Sequence, residues 1–151
     1  KRFLTEILNK IFFEEASIEE IKKVIVSYRN LVVNRQIKDV DDIVQVKKIS
    51  RMPEEYKTKS LPAHVALAVE RKNSGERYYI SQRIPFVVLS NNPLKIIHRD
   101  DFKGEYSEKY YWEKCIFPPT YRLLKTVYPN ENWEKYKEGT KTMQNTLSDY
   151  Q

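Results

Sequence analysis

The one place where this sequence crowds an imidazole against carboxylates is His98-Arg99-Asp100-Asp101. There a histidine would serve as a base and two carboxylates would hold divalent ions for phosphoryl transfer. A two-metal site, however, needs carboxylates converging from separate elements on ions about 4 Å apart, and adjacent strand residues point to opposite faces. The simpler reading makes Asp100-Asp101-Phe102 the polar end of a hairpin. The only cysteine, Cys115, lies in an aromatic, helix-patterned stretch with no histidine nearby, so it reads as a core residue and not as a nucleophile. Serine, histidine and aspartate are too scattered for a triad. With three glycines, one cysteine and the two histidines His64 and His98, the chain has no disulfide framework, zinc module, glycine-rich phosphate loop or His-based metal centre. It is expected to hold no catalytic residue, metal ligand or cofactor of its own.

The basic residues are more informative. The chain has 151 residues, 40% hydrophobic, enough for one modest core, and a net charge of +6. That excess is localised. Residues 1–46 balance 8 basic against 8 acidic residues and 84–151 balance 10 against 9, but 47–83 hold 9 against 4. The nine are Lys47, Lys48, Arg51, Lys57, Lys59, Arg71, Lys72, Arg77 and Arg83. Either they form a solvated face or they meet a polyanion. No apolar run approaches the roughly 20 residues of a membrane span and no signal-peptide pattern opens the chain, so the expectation is a soluble, cytoplasmic protein with no membrane partner. A first residue of Lys1 in place of Met is expected of a piece of something longer.

The elements that must position these residues can be read from periodicity. Phe3, Leu4, Ile7, Leu8 and Ile11 fall at helical spacing over residues 2–13. Ser17-Ile18-Glu19-Glu20 fits a capping box opening a second helix from Ile18 to Val33, with Ile18, Ile21, Val24, Ile25, Tyr28 and Leu31 or Val32 inward. A short connection makes the two an antiparallel hairpin. A short strand is expected over 43–49, a helical turn at Glu54-Glu55-Tyr56 and a helix from Pro62 to about Lys72, ended at Gly75. Residues 83–90 give the strongest strand signal, with Pro85 favouring an edge or a strand end. Asn91-Asn92-Pro93 turns it back into an antiparallel partner at 95–98. Ser107 should cap a helix that Pro118-Pro119 kinks or splits, and the last core residue is Trp133 or Tyr136. The expected fold is α+β and helix-predominant, with a helical hairpin, a small antiparallel sheet and C-terminal helices.

Two stretches then carry a resemblance: residues 49–57, Ile-Ser-Arg-Met-Pro-Glu-Glu-Tyr-Lys, and residues 61–68, Leu-Pro-Ala-His-Val-Ala-Leu-Ala. Together they resemble the C-terminal thumb domain of archaeal family B DNA polymerases, where an Ile-Thr-Arg stretch leads through a Glu-Tyr-Lys turn to a Pro-His-Val-Ala-Val-Ala helix. The likeness continues in order. Residues 83–89 are similar to the family's Ile-x-Tyr-Ile-Val-Leu strand, 108–113 to its Ala-Glu-Tyr-Tyr-Ile-Glu helix, and 119–124 to a Pro-Ala-Val-x-Arg-Ile-Leu run. It covers roughly residues 3–138, so the chain divides into a thumb-like domain over 1–138 and a flexible tail over 139–151. The chain departs from the family at Ala68-Val69-Glu70-Arg71, where the family helix continues Val-Ala-Lys-Lys. Arg71 or Lys72 must then stand in for the lysines. The palm motifs Asp-Thr-Asp and Ser-Leu-Tyr-Pro, the exonuclease carboxylates, the fingers lysines and the Lys-Lys-x-Tyr segment are absent.

The resemblance implies a non-catalytic thumb that grips double-stranded primer-template DNA during replication through donors aimed at its phosphates. It places those donors at Arg51, Lys57, Lys59, His64, Arg71, Lys72 and Arg77, with Arg51, Lys57 and His64 at matching family positions. It also implies a palm, fingers and exonuclease part, in the same chain or as a separate subunit, that holds the divalent metal. In the tail, Gln144, Leu147 and Tyr150 fit the Gln-x-x-aliphatic-x-x-aromatic pattern of sliding-clamp ligands. One helical turn would present Leu147 and Tyr150 to an apolar pocket, although Gln151 stands where a second aromatic normally follows. The rival readings are a stand-alone nucleic-acid-binding or replisome adaptor protein and a small hydrolase built on His98 and Asp100.

Overall fold

The computed structural model describes residues 2–57 and 60–138. The stretch expected as one thumb-like domain is built from two units, the described parts of Lys1–Ile37 with Glu108–Gln151, and Lys38–Ser107.

In the first unit the serine half of the expected capping box forms. Ser17 Oγ accepts a hydrogen bond from the Glu20 N–H at 3.2 Å, satisfying an amide that the first helical turn leaves unpaired. Helix α2 (Ile18–Val33) follows α1 (Arg2–Phe12) as the expected hairpin. Phe3 stacks on Tyr28 with ring centroids 4.3 Å apart. The buried stripe of α2 is Ile21, Ile25, Arg29 and Val32, a run of four-, four- and three-residue steps along one face. That stripe decides for Val32 over Leu31, which is exposed. It also places a charged residue, Arg29, inside, its guanidinium 5.9 Å from the centre of the Tyr136 ring. Burial pulls the Arg29 pKa below its ordinary value.

The proline pair lies where the helix changes type. Helix α4 (Glu108–Tyr110) runs through a π-helical stretch (Tyr111–Ile116) into α5 (Phe117–Val127). Pro118 and Pro119 occupy the first turn of α5, where missing N–H groups cost least. The Phe117 N–H reaches back five residues to the Trp112 carbonyl, the spacing of a π-helical turn. Cys115, expected in the core, is only half-buried because it lies off the face that buries Tyr111, Trp112 and Phe117. The unit's C-terminal segment is held by indoles. Trp112 Nε1–H donates to the Tyr136 carbonyl at 2.9 Å, and Trp133 Nε1–H to that of Tyr128 at 3.0 Å. Trp133 and Tyr136 are both buried, as expected.

The second unit sets helix α3 (Ala63–Asn73) against a three-stranded antiparallel sheet of order β1 (Gln45–Lys48), β2 (Arg83–Asn91), β3 (Leu94–His98). Strand β1 is shorter than the expected 43–49, because residues 40–42 form a 3-10 turn capped by Asp39. At its other end Ile49 still bonds across the sheet, its N–H to the Gln82 carbonyl and its carbonyl to the Ser81 N–H. Ser81 there takes the left-handed conformation, φ +71°. Strand β2 is central, so Pro85 is not on an edge. It pairs with Val46, and pairing with β3 starts only at Phe86, so the proline lies just outside that ladder. Ile49, Val65, Ala68 and Ile84 form the core of this unit, with Tyr56, Leu61 and Tyr78 packed around it. Gly75, at φ +101°, turns the chain after α3 as its position implied. Among the described residues no helix is long and apolar enough to cross a membrane.

Candidate nucleic-acid interface

The basic segment lies within the second unit, where the structure sorts its cations by what lies within reach. Arg51 follows β1 on a bend whose backbone is fixed: its carbonyl accepts from the Tyr78 hydroxyl at 2.7 Å. Its side chain is exposed, with the guanidinium 5.9 Å from the centre of the Tyr56 ring. The 3-10 turn Pro53–Glu55 stands between Arg51 and Tyr56, tied by a hydrogen bond from the Met52 N–H to the Glu55 carboxylate at 2.7 Å. Lys57 leaves that turn exposed. Burial first, then Tyr56, Glu54 and Glu55, raises the pKa of Tyr78, so the phenol remains a neutral donor.

Arg77, the neighbour of Tyr78, belongs to a loop organised by one side chain. Gln82 accepts from the Tyr79 N–H at 3.2 Å and donates to the Arg77 carbonyl at 3.1 Å. The bend after β1, the 3-10 turn and the loop before β2 are thereby fastened around Tyr78. Arg51, Lys57 and Arg77 ride on these three fastened segments, and none has an ion pair among the described residues. Lys72 is exposed near the C-terminal end of α3, with no ion pair among the described residues.

Two expected donors have other work. Arg71 is bound by three carboxylates of its own unit: Glu76 at 2.6 Å, Asp100 at 3.2 Å and Asp101 at 3.3 Å. The same contacts explain Asp100-Asp101. The pair closes a 3-10 turn, Arg99–Asp101, and meets α3 through Arg71. His98, 8% exposed, accepts the Asp100 N–H at Nδ1, 3.1 Å away. Burial, reinforced by Arg71, holds its pKa below the ordinary 6.5. Among the described residues no group of three or more His, Cys, Asp or Glu side chains is placed to hold a metal ion. His64 is half-buried in the first turn of α3. Burial and then Lys47 lower its pKa, against a hydrogen bond to the Lys48 backbone, so at neutral pH it offers a neutral imidazole and no charge. Lys59 and the tail motif Gln144, Leu147 and Tyr150 lie outside the described residues.

Two expected outcomes follow here. Arg71→Ala should lower stability by about 1 kcal/mol, since its partners are largely solvent-exposed, and the loss should shrink at high salt. The same change should leave the salt slope of any duplex binding unaltered, whereas a phosphate contact would lose about one unit. Denaturant melts and fluorescence anisotropy at several salt concentrations read the two effects. The histidines set the second. Both folded imidazoles titrate below 6.5, so the unfolded chain binds protons first as pH falls. Their contribution is complete above that value and is lost as pH falls through it toward the folded pKa values. The melting temperature should therefore decline between about pH 7 and 5. A His98→Gln chain should decline less steeply, and identical slopes in the two proteins would contradict this reading.

The sequence model described as DNA polymerase family B matches residues 1–134. No curated protein matches the sequence. Among solved structures, the family B DNA polymerase from the hyperthermophilic archaeon Pyrobaculum calidifontis aligns over 80% of this chain with a TM-score of 0.53 and 23% identity. The likeness is one of fold, and the chain spans 17% of that polymerase.

Proposed function

The chain belongs to DNA polymerase family B, and from that premise we propose that it is the thumb of such a polymerase, gripping primer-template duplex by its phosphate backbone. The single observation that supports this best is the second unit's set of exposed cations with no acidic partner among the described residues, Arg51, Lys57, Lys72 and Arg77, within a chain whose family binds and copies DNA. Lysine and arginine that meet no carboxylate of their own are free to replace the counterions of a duplex without choosing among bases. Arg51, Lys57 and Arg77 stand on mutually fastened segments, so little conformational freedom is lost when phosphates engage them. Catalysis, and the divalent ions it needs, belong in this reading to a palm, fingers and exonuclease part that shares the polymerase with this chain.

The tail extends the reading. Gln144, Leu147 and Tyr150 would dock a sliding clamp, which raises the local concentration of polymerase on DNA and lengthens synthesis runs. A polymerase of this kind acts on cytoplasmic, nucleoid-associated DNA.

Primer extension by the catalytic part, with and without this chain and with and without clamp, tests the proposal. Longer products with the chain, and longer still with the clamp, are expected. Products of unchanged length, with duplex binding by the chain alone, would favour the adaptor reading. Clamp stimulation that survives Leu147→Ala with Tyr150→Ala would remove the tail from the account.

A further inference from the structure

The register of the small sheet places two cations against each other. Lys48 on β1 is directly opposite Arg83 on β2, and Lys47 is opposite Ile84. Partners across an antiparallel ladder share a face, and successive residues alternate. Ile84 is buried in the core cluster with Val65 and Ala68 of α3. Lys48 and Arg83 therefore lie on the face turned away from that cluster. Both are exposed, and Val46, two residues along on the same face, is 50% exposed, so this corner of the sheet is open.

Directly opposite side chains start from Cβ atoms about 4.5–5.5 Å apart, and like charges so placed oppose strand pairing. Neither cation forms an ion pair among the described residues. Elsewhere in the unit the sequence does supply carboxylates to cations, as Asp41 does for Arg99 at 2.6 Å and Glu76 for Arg71. The backbone next to the pair is fixed by the two hydrogen bonds of Ile49 with Ser81 and Gln82, so the charges cannot easily separate by fraying.

We propose that Lys48 and Arg83 together form a binding site for a backbone phosphate of duplex DNA, a contact that sequence reading did not assign. The site rests on the duplex-gripping reading. A phosphate placed between the two side chains turns their mutual repulsion into two attractions and gives the arginine a bidentate partner. The choice of DNA over an acidic protein follows from the unit's other cations without an ion pair among the described residues, Arg51, Lys57 and Arg77, since a duplex offers negative charge at regular intervals to all of them.

The test uses the full 151-residue chain. Lys48→Gln with Arg83→Gln should weaken duplex binding about 3- to 12-fold more at 50 mM than at 200 mM salt, and flatten the salt slope by about 1–2 units. Lys48→Glu should raise the melting temperature of the free chain by about 1–4 °C by converting repulsion to attraction, while weakening the duplex. Lys48→Arg, which keeps the charge, should keep the slope. Wild-type affinity and slope in the double variant would overturn the site. If the wild-type chain binds no duplex, the gripping reading fails, and inorganic sulfate at constant ionic strength then decides the site separately. A greater thermal shift in wild type than in the double variant would sustain an anion site, and equal shifts would overturn it.

Discussion

A chain carrying Arg51→Ala, Lys57→Ala and Arg77→Ala is expected to bind duplex DNA with a salt slope shallower by about 2.7 units than wild type. The figure follows from about 0.9 of a unit for each phosphate neutralised. Between 50 and 200 mM salt, wild type should thus lose about 40-fold more affinity than the variant. All three are exposed and without ion pairs among the described residues, on segments fastened around Tyr78. Arg71 is the internal control. Its guanidinium is already shared among Glu76, Asp100 and Asp101, so its removal should weaken the fold and not the slope. Anisotropy titrations with two unrelated duplex sequences add a second criterion. The loss should be the same for both, since phosphate contacts carry no base information. An unaltered slope in the triple variant would end the phosphate-gripping account of this surface.

Replacing Trp112 with alanine should cost about 3–5 kcal/mol, a large fraction of the stability of a protein this size. The ring is 1% exposed and fills the space between Phe3 and Phe117, whose centroids lie 6.1 and 5.7 Å from its own. Its Nε1–H is also bonded to the Tyr136 carbonyl, so alanine leaves both a cavity and an acceptor that has lost its donor. Trp112→Phe separates the two contributions. It keeps most of the packing and loses the hydrogen bond, and about 1–2 kcal/mol is expected. Urea denaturation of both variants measures the difference. A cost below about 1 kcal/mol for the alanine variant would mean that this indole does not hold the C-terminal segment in place.

The local grammar of the chain was legible. Ser17 and the helical spacing of apolar residues mark the start and most of the inner face of α2, since capping and amphipathicity act within a few residues. The turn at Asn91-Asn92-Pro93, the stop at Gly75 and the burial of Trp133 and Tyr136 were read for the same reason. Less is legible where a neighbour distant in sequence decides the outcome. Pro85 reads as favouring an edge or a strand end; β2 is central because it pairs with both β1 and β3, and the proline lies near its start, just outside the β3 ladder. The Pro118-Pro119 pair reads as a kink or split, and it stands in the first turn of α5 directly after the π-helical stretch.

The sequence by itself determined the segment that holds the excess charge, the helical and strand elements around it, and a resemblance that the family match bears out for family B. Only the tertiary structure decided what each cation does. Arg71 meets Asp101 across 30 residues of sequence, and Tyr78 fixes the backbone of Arg51 across 27. The same packing buries Arg29 on a helix and makes His64 neutral, and a two-residue alternation sets Lys48 against Arg83. A charge is a property of one residue, but its pKa, its partner and its availability to a phosphate are set within a few ångströms. Those few ångströms are fixed by strand register and by helix packing, which no local stretch of sequence contains.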